Sequence, residues 1–227
     1  LGLRIFERIG METEFIRINK FLSEAGVCSR RGSDRLVEEG RVTIDGKVAV
    51  LGDQILPGQK VLVDGREVQR EDEKILLAFH KPKGIVCTAE KREKNNIIDY
   101  LHYPKRIYPV GRLDKDSEGL ILLTNDGELG NEILRARNFH EKEYIVTVNR
   151  PVTDEFLRGM AGGVPILDTI TRKCKVEKLD KRKFRVVLTQ GLNRQIRRMC
   201  EYFDYRVVKL VRVRIMNIKL GDLPVGK

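Results

Sequence analysis

The stretch GRLDKDSEGLILLTN, Gly111 to Asn125, crowds three acids into five residues and then runs into the apolar block LILLT. A short apolar run bounded by turn residues reads as a buried strand. The fold must therefore bury 120–123 and carry a charged turn directly in front of it. Gly111 and Gly119 permit tight backbone paths on either side of that turn. What the chain does depends on whether the acids form a metal loop, a catalytic carboxylate with bystanders, or a solvated turn.

Read from Asp114, D-K-D-S-E-G imitates an EF-hand loop, with acids at positions one, three and five and glycine at six. The twelfth position, which must supply a bidentate Glu, is Asn125, and the flanks read as strands. Calcium is not expected. A glycosidase needs carboxylates facing across a cleft, which neighbours this close in the chain do not provide. A third reading leaves Asp114 in a pocket, with Asp116 and Glu118 as solvated turn residues. A carboxylate kept charged in a pocket needs a cation beside it. NRQIRRM offers Arg194, Arg197 and Arg198 at helical spacing, for RNA phosphates, for an acid, or for both; an ordinary exposed basic helix is the alternative.

The formal net charge is +11, and the surplus lies in 75–227, where 31 Lys and Arg face 19 Asp and Glu. Such an excess suits a polyanionic partner, because neutralised phosphates release counterions. No apolar run has the length of a membrane span. The four cysteines form no C-x-x-C pair and the three histidines no ligand spacing. Reduced thiols in a cytoplasmic protein, without a structural metal, are expected.

Two regions follow an N-terminal extension, 1–14, that precedes and includes Met11. In 15–62, Ile18, Phe21, Leu22 and Ala25 recur at helical spacing before Gly26, and Ser29 caps a second helix ending at Gly40. VTIDGKVAV alternates about Asp45-Gly46, a hairpin signal. This is a small α+β module. Arg17 and Lys20 on the first helix, with Arg30, Arg31 and Arg35 on the second, form either a phosphate-facing strip or a solvated face. Residues 63–74 read as a polar linker that opens with a second turn at Asp64-Gly65. In 75–227, strands are expected over 75–79, 107–110, 120–123, 144–148, 184–188 and 207–210. Helices are expected over 96–101, 128–135, 154–160 and 193–202. Without a βαβ rhythm, this is a mixed, largely antiparallel α+β domain.

HKPKG, GRLDKDSEGLILLTNDGEL, KEYIVTV and GLNRQIRRM occur in this order. Together they resemble the motif series of the RsuA-type ribosomal RNA pseudouridine synthases. RINKFLSEAGVCSRR and GRVTIDG resemble the S4 RNA-binding module that such proteins carry first. ILRARNFHEKEYIVTV, GVPILDT and QGLNRQIRRMCEYF are similar to the F-like subgroup, as is Leu192 where many relatives have a basic residue. The resemblance implies an enzyme that isomerises one uridine of ribosomal RNA, in the large subunit, with a tRNA as a possible second substrate. It implies no cofactor and a monomer. Asp114 would be the catalytic aspartate, Tyr144 the tyrosine that packs on the base and takes the C5 proton, and Arg197 the arginine that pairs with Asp114. Lys81, with Pro82, would shape the site entrance. Lys81, Arg112, Lys142, Arg194 and Arg198 would contact RNA, and in the S4 module so would Arg17, Lys20, Ser29, Arg30, Arg31 and Arg35. Relatives usually continue beyond LPVGK, so an RNA-contacting tail is expected after Lys227. A non-catalytic S4-type protein that binds ribosomal RNA during assembly explains the charge, but gives the R-L-D, K-E-Y and R-Q-I-R motifs no role.

If the arginines of the second helix expected in the S4-like module face phosphates, the double substitution R30Q/R31Q weakens RNA binding. It also lowers the steepness of the salt dependence by about one unit of slope per lost phosphate contact. A filter-binding series across salt concentrations measures this; an unchanged slope means the face is only solvated.

Overall fold

The computed structural model describes residues 15–71, 73–90, 92–135 and 139–227. The extension assigned to 1–14 lies outside the described residues. The chain divides into two compact units, Leu1–Lys74 and Ile75–Lys227.

In the first unit β1 (Ile16–Arg17) leads directly into α1 (Ile18–Glu24), followed by α2 (Arg30–Glu38). Ile18 and Leu22, four residues apart, share the buried face of α1, and α2 buries Ser33 and Val37. The Ser29 hydroxyl caps α2 by accepting the Gly32 N–H at 3.1 Å. Next come β2 (Val42–Ile44) and β3 (Lys47–Val48), then β4 (Gln54–Ile55), β5 (Val61–Val63) and β6 (Arg66–Val68). β1 pairs with β4, and the other four strands form a sheet in the order β3-β2-β5-β6. Ile18, Leu22, Val37, Val42, Ile55 and Val61 close the core.

The second turn forms at Asp64-Gly65 as expected, and the pairing across it shortens the stretch left as a linker. Asp64 and Gly65 both have positive φ, 49° and 77°, the backbone of a two-residue hairpin turn. β5 and β6 pair across it, Val63 opposite Arg66. Residues 63–68 therefore belong to the sheet, and only the stretch after Val68 remains as connection. Charge-rich strands with one exposed face look like linkers in sequence.

The second unit runs β7 (Leu76–Lys81), α3 (Ile97–Leu101), β8 (Tyr108–Val110), β9 (Glu118–Thr124), α4 (Gly127–Leu134), β10 (Lys142–Val148) and α5 (Asp154–Gly162). It continues with β11 (Pro165–Ile166), β12 (Thr169–Ile170), β13 (Lys175–Asp180), β14 (Lys183–Leu188), α6 (Gln195–Tyr202), β15 (Val207–Ile215) and β16 (Ile218–Lys219). The main sheet is ordered β13-β14-β10-β15-β9-β7, with β8 on β9 and β16 on β15. Every pairing in it is antiparallel except β9 with β15. β13, KVEKLD, escapes the sequence reading because it is an edge strand with almost no buried side chain.

The LILLT run is buried on both sides of the sheet. Ile121 and Leu123 pack with Phe79, Ile97 and Ile107, while Leu120 and Leu122 pack with Val110, Ile133 and Ile215 on the other face. A third cluster joins β10, β14, α5 and α6 through Val146, Phe184, Phe156, Met160, Ile196 and Met199.

Gly119 makes the parallel pairing possible. It sits opposite Arg212 with φ 119°, and a Cβ there would lie 2.3 Å from the Arg212 carbonyl oxygen. Gly119→Ala is expected to destabilise the fold by roughly 3 kcal/mol or more, from backbone strain and overpacking together. Urea unfolding measures it; a loss below about 1 kcal/mol would show that the strands part easily here.

Candidate active site

The acid turn lies between β8 and β9 and is tied down at several points. The Leu113 N–H reaches Cys87 Sγ at 3.4 Å. The Ser117 N–H donates to the Asp114 carbonyl at 3.0 Å, and the Gly84 N–H to the Lys115 carbonyl at 2.7 Å. Arg212, only 3% exposed, extends beneath the turn and holds both its ends. Its Nε donates to the Leu120 carbonyl at 2.7 Å and its Nη1 to the Arg112 carbonyl at 3.4 Å. The backbone that presents Asp114 is thus anchored to the sheet.

A cavity of about 400 Å³ opens beside this turn, lined among others by Arg112, Asp114, Tyr144, Arg194, Arg197 and Arg212. Tyr144 comes from β10 and sits opposite Arg212 of β15, so the two share the cavity face of the sheet. Leu192, Arg194 and Arg197 come from the start of α6 and the loop before it. Residues scattered across a hundred positions of sequence therefore meet at one site.

The ion pairs differ from expectation. The cation nearest the Asp114 carboxylate is Arg194, with Nη1 at 3.8 Å from Oδ2. Arg194 binds Asp116 more closely, in a two-pronged pair with both contacts at 3.0 Å. Arg197, expected to pair with Asp114, instead donates Nη2 to the Asp116 carbonyl at 3.1 Å and to Ser117 Oγ at 3.2 Å. It also lies 3.4 Å from the Asp116 carboxylate. Asp116 is therefore the anchor of the turn rather than a solvated neighbour, and Arg194 beside it holds its carboxyl below the usual carboxylate range.

Glu118 is no solvated turn residue either. It begins β9, with Oε1 3.3 Å from His80 Nε2 and 3.6 Å from Lys209 Nζ. Asp114 and Asp116 share Arg194, while Glu118 turns to His80 and Lys209, so the three acids do not converge on one cation.

Three further corrections concern basic residues. Lys81 is fully buried, and its ammonium donates to the carbonyls of Pro82 at 2.9 Å and Ile85 at 2.8 Å. Burial pushes its pKa down, and RNA cannot reach it; it fixes the 82–85 turn from within. Arg194 adopts a left-handed backbone, φ 49°, and stands before α6 rather than in it. Arg198 folds back onto Asn193, with Nε to its carbonyl at 3.0 Å and Nη2 to its Oδ1 at 3.1 Å. The three arginines consequently do not share one helical face.

In the first unit, Arg17 is exposed ahead of α1, and Arg30, Arg31 and Arg35 are exposed on α2. None of the four has an acidic partner among the described residues. Lys20 lies 3.7 Å from Glu24, and the Ser29 oxygen is engaged as the α2 cap. Arg112 is exposed and Lys142 half-buried at the cavity of the second unit. The supporting roles of Arg212, Ser117 and Cys87 show only in the structure, as does the anchoring role of Asp116. For Arg212 a signal existed: it continues the alternation of Leu210 into VRVRI, a strand that the sequence reading ended at 210.

Residues 75–202 match the RNA pseudouridylate synthase family and residues 16–60 the S4 domain. The chain is 58% identical to a dual-specificity RNA pseudouridine synthase RluF of Salmonella typhi, over 93% of this chain and 74% of that protein. It is 35% identical to the ribosomal large subunit pseudouridine synthase B of Bacillus subtilis, over 92% of this chain and 89% of that one. A crystal structure of a pseudouridylate synthase superposes with a TM-score of 0.68 at 27% identity, covering 93% of this chain and 94% of that chain.

Because Arg194 depresses the Asp116 pKa, the pair contributes stability above the unfolded carboxylate pKa and loses it as pH falls through the folded one. The advantage of wild type over Asp116→Asn in urea midpoint is expected to be complete at neutral pH and to shrink below about pH 4. A gap that stays constant down to the acid limit would show that the charge of Asp116 does not hold the turn.

Proposed function

We propose a substrate and a catalytic residue for this chain, which belongs to the RNA pseudouridylate synthase family and is an RluF-type pseudouridine synthase acting on RNA. The substrate is a uridine of large-subunit ribosomal RNA, the target given in the name of one relative, with a tRNA uridine as a second target; the name of another relative gives dual specificity on RNA. Asp114 is the catalytic carboxylate. The observation that carries this reading is its place: a half-exposed carboxylate on a braced turn, beside a cavity that Tyr144 also lines.

Isomerisation breaks the N1–C1′ bond, turns the base and joins C5 to C1′. Atoms and electrons balance without a cofactor. Asp114 acts either as nucleophile at C1′ or as base at C2′; both need one ionised carboxylate held still. Arg194, 3.8 Å away and locked by Asp116, supplies the neighbouring positive charge. The target nucleotide must leave its stack, which costs about a few kcal/mol. Stacking on Tyr144 and phosphate contacts from the exposed Arg112 and the S4 arginines offset that cost. Arg197 acts in this reading through the turn, by holding Asp116 and Ser117, and Tyr144 is the candidate acceptor of the C5 proton. The enzyme works as a monomer in the cytoplasm. Among the described residues no helix is long and apolar enough to cross a membrane.

Asp114→Asn is expected to abolish pseudouridine formation while RNA binding persists. Carbodiimide-blocked primer extension on treated ribosomal RNA detects the product and maps the uridine. Pseudouridine formed by the variant at the wild-type rate would remove Asp114 from the mechanism.

A further inference from the structure

β10 alternates sharply between its two faces. Glu143 is clamped on the side away from the cavity, where Oε1 accepts from Arg185 Nε at 2.6 Å and Oε2 from Arg214 Nε at 2.7 Å. With Glu143 held there, Lys142 and Tyr144 are both committed to the cavity, which they line together with Arg212. Two residues along a strand separates their Cα atoms by about 7 Å. A lysine side chain spans such a distance to a ring stacked on its neighbour.

The charge at this spot is unbalanced. Among the described residues no carboxylate pairs with Lys142 or with Arg212. Arg212 spends Nε and Nη1 on backbone carbonyls, and its buried Nη2 has no partner. Burial lowers the Lys142 pKa, and the Arg212 cation nearby pushes it the same way. Asp114 in the same cavity is already attended by Arg194. Two neighbouring cations in a half-buried pocket, without an anion, are unfavourable by themselves. They become favourable when negative charge appears between them.

The reaction produces such charge. As N1–C1′ breaks, its electron pair stays on the base and spreads over N1, O2 and O4. We propose that Lys142 is a catalytic residue, its ammonium stabilising the uracil anion that forms as the glycosidic bond breaks. The C1′ centre is taken by the Asp114 carboxylate, or the C2′ proton passes to it. The same base electrons then form the C5–C1′ bond as the Asp114–C1′ bond breaks, or as Asp114 returns the proton to C2′; the C5 proton leaves to a base of the site and N1 takes up a proton from water. Lys142 keeps its proton throughout. A group that meets charge only in the transition state accelerates the step instead of merely tightening binding. The half-buried position beside Tyr144 favours this role over a phosphate contact, for which the exposed Arg112 is better placed.

The inference rests on the placement of the reaction at Asp114 and Tyr144. Its test is single-turnover kinetics at saturating RNA with Lys142→Met and Lys142→Arg, on substrates carrying uridine or 5-fluorouridine at the target. Lys142→Met is expected to slow consumption of the target uridine by about 10²-fold or more, the order seen for loss of one oxyanion donor. Lys142→Arg retains part of the rate, and RNA affinity is unchanged in both. Fluorine stabilises the departing base, so the defect of Lys142→Met shrinks on 5-fluorouridine. An equal defect on both substrates assigns Lys142 a structural role and overturns the proposal. So does a defect confined to RNA affinity, or full activity. Asp114→Asn run in parallel separates the two readings. Activity in that variant overturns the site itself, whereas its inactivity beside a fully active Lys142→Met overturns only the role of the lysine.

Discussion

The backbone contact between Gly119 and Arg212 joins two antiparallel half-sheets into one. On one side stand β13, β14, β10 and β15; on the other β9, β7 and β8. The parallel pairing of β9 with β15 is the junction, and it needs residue 119 to have no side chain, because a Cβ there would collide with the Arg212 backbone. Everything the site requires follows from that approach. It sets the acid turn at the head of β9 over the floor made by β10 and β15. It also lets the Arg212 side chain reach the carbonyls at both ends of the turn.

The charges of the second unit are sorted by face. Behind the sheet, Glu143 gathers Arg185 and Arg214 into a network that also includes Glu141 and Glu177. These cations are satisfied and serve to hold β10 in register. At the acid turn, Asp116 gathers Arg194 and Arg197, which immobilises the segment bearing Asp114 without consuming its carboxylate. The cations Lys142 and Arg212 are left over on the cavity side. A site organised this way spends Asp116 and Glu143 on architecture, keeps the Asp114 carboxylate available and turns its spare positive charge toward the substrate, as an RNA-modifying enzyme needs.

Much of the fold was legible because its signals are local. The apolar LILLT run, the Asp45-Gly46 hairpin, the Ser29 cap and the helical spacing of Ile18 and Leu22 each follow from neighbours a few residues apart. The order of motifs carried the family. The misassigned elements share a different cause. β6 and β13 are polar edge strands whose identity comes from a partner strand, and a charge-rich segment shows nothing of its partner. Arg194 looked helical by spacing, yet its left-handed backbone places it outside α6, where it can reach both acids.

The pairing of charges was the part that local reading got wrong. Spacing grouped Asp114, Asp116 and Glu118 together and set Arg194, Arg197 and Arg198 on one face. Tertiary contacts divided both groups: Asp116 took Arg194 and Arg197, Glu118 took His80 and Lys209, and Arg198 turned to Asn193. Lys81 shows the same limit, since a lysine in a Pro-Gly turn reads as exposed until the fold encloses it. The sequence by itself determined the two-module organisation and the buried strand, because these depend on residue type and short-range periodicity; Asp114 was singled out only by the resemblance of the motif order. Only the tertiary structure decided which cation answers which acid and which lysine faces the cavity. Those outcomes depend on distances between strands far apart in the chain, and Coulomb interactions are set by distance and burial.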